Sequence, residues 1–129
     1  MVSAFQKLKN LINGKQNILN ITTGVEFETG RTIDGKKEYG LYKNLGTLSD
    51  IENKSKIFKT GISDSYKVIK YQLFAKNKTN GQLLTIPFIN LTNTQFLSAY
   101  LNSPNELIAR SNYDFSAYDL VIDVSYIKN

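Results

Sequence analysis

Apolar residues follow two different rhythms along the chain, and the change falls at Gly24. Before it, Ala4, Phe5, Leu8, Leu11 and Ile12 recur at three- and four-residue intervals, the spacing that lays side chains along one face of an α-helix. Ser3 and Gln6 have the S-x-x-Q spacing of a capping box, and Asn13-Gly14 supplies a C-terminal stop. The pattern predicts a short N-terminal α-helix carrying an apolar stripe. A helix of about ten residues does not recover its nucleation cost alone in water. The stripe therefore packs on its own domain, pairs with copies of itself, or docks on a partner. Lys15 to Thr23 is polar apart from Ile18, Leu19 and Ile21, and reads as a connecting segment lying against the domain, since a free linker does not carry three branched aliphatics.

After Gly24 the period drops to two. Candidate strands are Val25 to Thr29, Glu38 to Leu45, Ser55 to Thr60, Tyr66 to Lys76, Gln82 to Asn90, Gln95 to Leu101, Glu106 to Arg110 and Leu120 to Lys128, most of them separated by turn residues. Leu120, Ile122, Val124 and Tyr126 alternate with Val121, Asp123, Ser125 and Ile127, which predicts one buried face and one half-wet face. Ile69, Tyr71, Leu73 and Ala75 form a second alternating set. Asn77 to Gly81 supplies a turn between Tyr66 and Asn90. Pro87 cannot donate to a ladder, so its strand lies near an edge or breaks there. The expected fold is all-β: an antiparallel β-sandwich, jelly-roll-like, of seven or eight strands. Residues 1–23 form a helix and connector, and residues 24–129 form the sandwich.

Composition narrows the chemistry. The 129 residues fit one domain, with 41% hydrophobic and 21% charged side chains. Cysteine and histidine are both absent, which removes disulfides, thiolate nucleophiles, imidazole bases and nearly every transition-metal site. No cofactor is implied. No apolar run approaches the roughly 20 residues of a membrane span, and the N-terminus lacks a signal-peptide pattern, so the expectation is synthesis in the cytoplasm and no membrane partner. The formal charge of +5 raises the question of nucleic acid. Lysines are nevertheless spread along the chain and interleaved with acids from Glu26 onward, without a basic block or basic-aromatic motif, which argues against a nucleic-acid partner.

Carboxylates are the remaining candidate chemistry. Glu26 and Glu28 share a strand face by their spacing, and Asp114, Asp119 and Asp123 lie near the last strand, yet nothing places either set across a groove as glycoside hydrolysis needs. The expectation is a protein that is not an enzyme. Asn112, Asp114 and Ser116 alternate as calcium ligands do, but lack a distal bidentate Glu, and an Asx-type turn is the expected role. Tyr39, Tyr42, Tyr100 or Tyr113 can stack on sugars if exposed; with 8 Tyr, 7 Phe and no Trp, most aromatics are expected in the core. Four N-x-S/T triplets, at Asn20, Asn53, Asn77 and Asn90, read as chance in an Asn- and Thr-rich chain.

The stretch GRTIDGKKEYG, residues 30–40, lies between two strand candidates, and Asp34-Gly35 favours the positive φ values of a tight hairpin turn. The ordered set Thr29-Gly30-Arg31, Ile33-Asp34-Gly35-Lys36, Leu45-Gly46-Thr47-Leu48, Gly61-Ile62-Ser63 and Tyr66-Lys67-Val68-Ile69 resembles a domain of bacteriophage tail, baseplate and fibre proteins, in which a strand ends in T-G-R-x-W-I-D-G-K-P-I-Y-R-K. Ala75 through Pro87 resembles that family's long hairpin. Tyr113 to Tyr118 and Leu120 to Lys128 resemble its D-x-S-x-Y segment and closing strand. Thr32 stands where the family has Trp, and Lys37 where it has Pro. Leu11 to Asn17 resembles the L-x-G-K-Q-D-K linker that follows short helices in head-fibre and tail-fibre proteins, with Asn17 in place of Asp and Ile18 in place of Lys.

The resemblance implies a virion structural protein, a head-fibre, capsid-decoration or tail-appendage component displaying a β-sandwich for host-surface contact. It implies a homo-oligomer, trimer before dimer, held or anchored through Phe5, Leu8, Leu11 and Ile12, with other virion proteins and host glycan or protein as partners. Thr32, Asp34, Lys36 and Lys37 are the expected receptor-contact tip. A carbohydrate-binding module, or a small glycan hydrolase, is the alternative.

Overall fold

The computed structural model describes Ala4 and residues 21–129. The expected helix stripe of Phe5, Leu8, Leu11 and Ile12 lies outside the described residues. Among the described residues nine strands follow in order: β1 (Phe27–Ile33), β2 (Lys36–Leu48), β3 (Lys54–Lys59), β4 (Lys67–Asn77), β5 (Leu83–Ile86), β6 (Phe88–Asn90), β7 (Gln95–Ser103), β8 (Glu106–Ser111) and β9 (Phe115–Ile127). They form a five-stranded sheet, β1-β2-β9-β4-β5, and a four-stranded sheet, β3-β8-β7-β6. Every strand pairing is antiparallel, and apolar residues of both sheets share one core.

The strand count exceeds the expected seven or eight because the segment from Gln82 to Asn90 is two strands. Pro87 separates β5, at the edge of the first sheet, from β6, at the edge of the second. A residue without an N–H is tolerated where the ladder is given up, and here the chain changes sheets. Asp34 (φ 52°) and Gly35 (φ 79°) make the β1–β2 turn, with two successive left-handed residues whose twist matches that of the flanking strands.

β9 is the organising strand, flanked by β2 and β4 over nearly its whole length. Leu120, Ile122, Val124 and Tyr126 point into the core as the alternation predicts. The opposite face is drier than expected: Val121, Ser125 and Ile127 are buried and only Asp123 is exposed. Val121 lies opposite Phe74 in register, and Ser125 opposite Gly40. The Phe27 ring covers Gly40 so closely that a Cβ there would sit 2.4 Å from its Cζ. Gly40→Ala must push that ring off the sheet. The expected loss is about 1–3 kcal/mol of unfolding free energy, measured by urea denaturation. β9 also begins at Phe115, so the Ser116 to Tyr118 segment, expected ahead of the closing strand, is inside it.

β4 departs from simple alternation. Its pairing with β9 shifts between Val68 and Lys70, so Val68, not Ile69, packs against the core beside Leu73 and Ala75. The centre of the core is largely aliphatic, while aromatics gather at its two ends. Phe115 meets Phe88, Tyr113 and Tyr118 edge-on at 6.1, 5.6 and 5.9 Å between ring centroids. At the other end of β9, Tyr126 stacks between Tyr39 and Tyr66 at 6.3 and 5.7 Å.

Candidate functional site

The four expected contact residues sit together at the β1–β2 hairpin. Thr32 lies opposite Lys37, Ile33 opposite Lys36, and Asp34 is in the turn. Lys37 reaches Glu28 at 3.3 Å across the hairpin, a pair with both partners more than half exposed and so of little consequence for stability. Lys36, Lys37, Tyr39, Lys128 and Asn129 frame an open depression of about 340 Å³. Arg31, Lys37 and Lys128 are paired with Glu38, Glu28 and Glu26, so Lys36 is the cation of this group without a salt bridge among the described residues.

Two carboxylates anchor this region. Glu38 is 1% exposed; it accepts hydrogen bonds from Thr29 Oγ1 (2.7 Å) and Arg31 Nε (2.8 Å), and Arg31 Nη2 lies 2.7 Å away. Burial pushes its pKa up, but the Thr29 hydroxyl and the Arg31 guanidinium outweigh burial and hold it below the usual carboxylate range. Glu26 precedes β1 and joins the tyrosine stack. Tyr126 donates to it at 2.5 Å and Lys128 at 2.8 Å, while the Lys128 ammonium lies 4.2 Å from the centroid of Tyr39 and 5.6 Å from that of Tyr66. Burial, then the bond to Glu26, drives the Tyr126 phenol far above its ordinary range. It stays protonated and serves as a donor, tying the C-terminal end of β9 to the segment before β1. Burial also pushes Glu26 up, and Lys128 and Tyr126 more than offset it.

These shifts set an acid limit on stability. A carboxyl whose folded pKa lies below its unfolded value stabilises the fold above the unfolded pKa and loses that contribution as pH falls through the folded one. Glu26 and Glu38 are both depressed from 4.5. Thermal melts should therefore be level from neutrality to about pH 5 and drop progressively below about pH 4.5. Glu26→Gln should flatten part of that drop; an unchanged acid limb would count against the assignment.

The larger concavity lies elsewhere. β5 pairs with β4 only from Leu73 to Lys76, and β6 pairs with β7 only from Gln95 to Leu97. Beyond those short strands the two sheets part, leaving a cleft of about 650 Å³ between β4 and β7, lined largely by apolar atoms of Tyr66, Val68, Ile69, Tyr71, Leu101 and Pro104. Asp64, Lys67, Lys70 and Ser103 add polar groups. The size and the mixture suit reversible binding of a ligand.

One wall of the cleft is held by a buried polar knot. Thr60 is fully buried; its hydroxyl donates to the Pro104 carbonyl (2.6 Å) and accepts from Ile62 N–H (3.1 Å). Thr60 N–H donates to the Asn105 carbonyl (2.9 Å). Asn105 Oδ1 takes Gly61 N–H at 2.8 Å, and Asp64 takes Asn105 N–H at 3.0 Å. Sequence reasoning marked Gly61-Ile62-Ser63 only as a motif and missed Thr60 and Asn105, whose partners are 44 residues apart in the chain.

The candidate acids do not converge. Glu26 and Glu28 engage different lysines. Asp119 is held by Asn44 and Thr47 towards the far end of β9. Asp114 accepts Ser116 N–H at 2.9 Å as an Asx turn, and Asn112 clamps Phe96 N–H and the Thr94 carbonyl. The described residues hold no cluster of three or more acids suited to a metal, and no helix among them is long and apolar enough to cross a membrane. Of the tyrosines proposed for stacking, Tyr100 and Tyr113 are exposed, whereas Tyr39 and Tyr42 are half-buried. No family model, no curated protein and no solved structure matches this chain.

Proposed function

We propose that the chain is a structural component of a bacteriophage particle, a head-fibre, capsid-decoration or tail-appendage protein that presents its β-sandwich to the host surface. The observation that carries this reading is that the Thr29-Gly30-Arg31 and Ile33-Asp34-Gly35-Lys36 motifs build one exposed hairpin, with Lys36 and Lys37 at its end and its two strands tied together by Arg31–Glu38. Bacterial surface polymers are commonly anionic, and the exposed Lys36 and Lys37 ammonium groups offer them individual contacts. We also read the connectivity as jelly-roll-like. In support, β2 pairs with β9 and β3 with β8, the two outer nested pairs of such a roll, while hairpins β4–β5 and β6–β7 replace its two inner pairs, β4–β7 and β5–β6.

Residues 1–23 assemble copies in this proposal, as a trimer before a dimer, through Phe5, Leu8, Leu11 and Ile12. Several weak contacts on one particle then combine through effective concentration, so a single sandwich needs little affinity of its own. The protein should be found by mass spectrometry in purified virions of the phage that encodes it. Particles carrying Lys36→Glu with Lys37→Glu should adsorb to host cells at least about tenfold more slowly at low salt, with the difference shrinking as salt rises. Absence from purified particles would end the proposal, and equal adsorption would remove the hairpin from it.

A further inference from the structure

A β-sandwich has strand edges that invite pairing with foreign strands, and this one blunts most of its own. Edge strand β3 carries Lys54, Lys56 and Lys59, β1 is broken by an irregularity between Glu28 and Thr32, and β5 and β6 are only four and three residues long. Among the described residues three longer strands keep an open side: β2 from Leu41 onward, β7 from Ser98 to Ser103, and β4 from Lys67 to Gln72, the last with two lysines and a register shift of its own but alone in facing β7 across the cleft. Between Lys67 and Gln72, β4 has β9 on one side and no strand on the other among the described residues. This free edge of six residues, about 20 Å long, forms one wall of the 650 Å³ cleft. The facing wall is β7 on the side away from β8, where Leu101 N–H donates to the Tyr71 hydroxyl at 3.3 Å.

We infer that this cleft is a strand-acceptor site: an extended peptide of a partner protein pairs its backbone with β4 from Lys67 to Gln72 and inserts alternate apolar side chains between Val68, Tyr71, Leu101 and Pro104. Main-chain pairing supplies the affinity and the apolar walls supply the register. The charge selects the occupant. Lys67 and Lys70 lie along the edge and make no salt bridge among the described residues, and the carboxylate opposite them, Asp64, is engaged by Asn105 N–H. The matching strand carries Asp or Glu at its outward positions. A second copy of this chain, at net charge +5, is disfavoured at the same edge.

The test uses the full chain and a fluorescein-labelled peptide of about eight residues, with valine at alternate positions and aspartate or threonine between them. Fluorescence anisotropy should give micromolar binding that weakens at least about tenfold between low and high salt. Hydrogen exchange should slow at Lys67 to Gln72. A peptide N-methylated at the edge-facing amides should lose at least about tenfold in affinity, because it can no longer donate. Lys67→Glu with Lys70→Glu should reverse the preference toward a lysine-containing peptide of the same pattern. The inference is overturned by absence of binding, by equal binding of the N-methylated or the lysine peptide to the unaltered chain, or by protection outside β4 and β7. It is equally overturned by glycan that competes with the peptide more tightly than the peptide binds, or by slowed edge exchange from raised protein concentration alone.

Discussion

Replacing Ile122 by alanine is expected to cost about 2–5 kcal/mol of unfolding free energy. Ile122 is fully buried at the middle of β9, paired with Lys43 on β2 and Leu73 on β4. Both neighbouring strands are held along their length by the β9 ladder, so the backbone around the truncated side chain has little freedom to close the void. Loss of buried apolar atoms and an unrelaxed cavity therefore add. A domain of this size has about 5–15 kcal/mol in total, and the midpoint of thermal unfolding should fall by about 5–20 °C. Ile57→Ala is the control, because Ile57 is 56% exposed and the same chemical change there should stay within about 0.5 kcal/mol. Equal losses at the two positions would contradict the assignment of the core.

Thr60→Val is expected to cost about 2–4 kcal/mol, although it preserves shape and adds apolar surface. The hydroxyl serves two buried main-chain groups, the Pro104 carbonyl and Ile62 N–H. Valine strands both, and each unpaired buried group costs about 1–3 kcal/mol. Thr60→Ser keeps the hydroxyl and should recover most of the loss. The effect extends beyond stability, since the same knot holds the turn that carries Pro104 at the wall of the cleft. Hydrogen exchange at Asn105 and Gly61 should quicken in Thr60→Val more than at β9. A uniform increase across the protein would reduce Thr60 to an ordinary core residue.

The strands were legible because a half-buried strand must alternate and because their ends carry residues with special backbone freedom. Asp34-Gly35 named its turn, and Pro87 named the point where the ladder is abandoned. Less legible was anything that depends on which strand lies beside which. Ser125 and Val121 look like wet-face residues in a one-dimensional pattern, yet they are buried because β9 lies between two long strands. The bulge in β4 exchanges Val68 for Ile69 without any glycine or proline to announce it. Glu38 is an unremarkable acid in a charged stretch until the β1 hairpin folds Thr29 and Arg31 onto it.

The candidate sites divide in the same way. The hairpin tip is local in sequence, so its residues could be grouped in advance. The cleft has no sequence marker, because it arises from an inequality of lengths: β5 and β6 are too short to cover β4 and β7. The tyrosine stack joins residues from two strands, β2 and β9, and from the segments before β1, before β4 and after β9, with Glu26 and Tyr126 separated by 100 positions. Periodicity placed these side chains on faces but could not bring them together.

Assembly of the proposed virion protein through residues 1–23 is tested most directly by the mass of the protein in solution. Sedimentation equilibrium of the full chain, beside a variant with Phe5, Leu8, Leu11 and Ile12 all replaced by serine, separates assembly through the N-terminal stripe from every contact made by the sandwich. The full protein should sediment at a three-chain mass and the variant at a one-chain mass, with identical circular dichroism in the strand region. A full chain that stays at one-chain mass at high concentration, or two proteins of equal mass, would contradict that assembly.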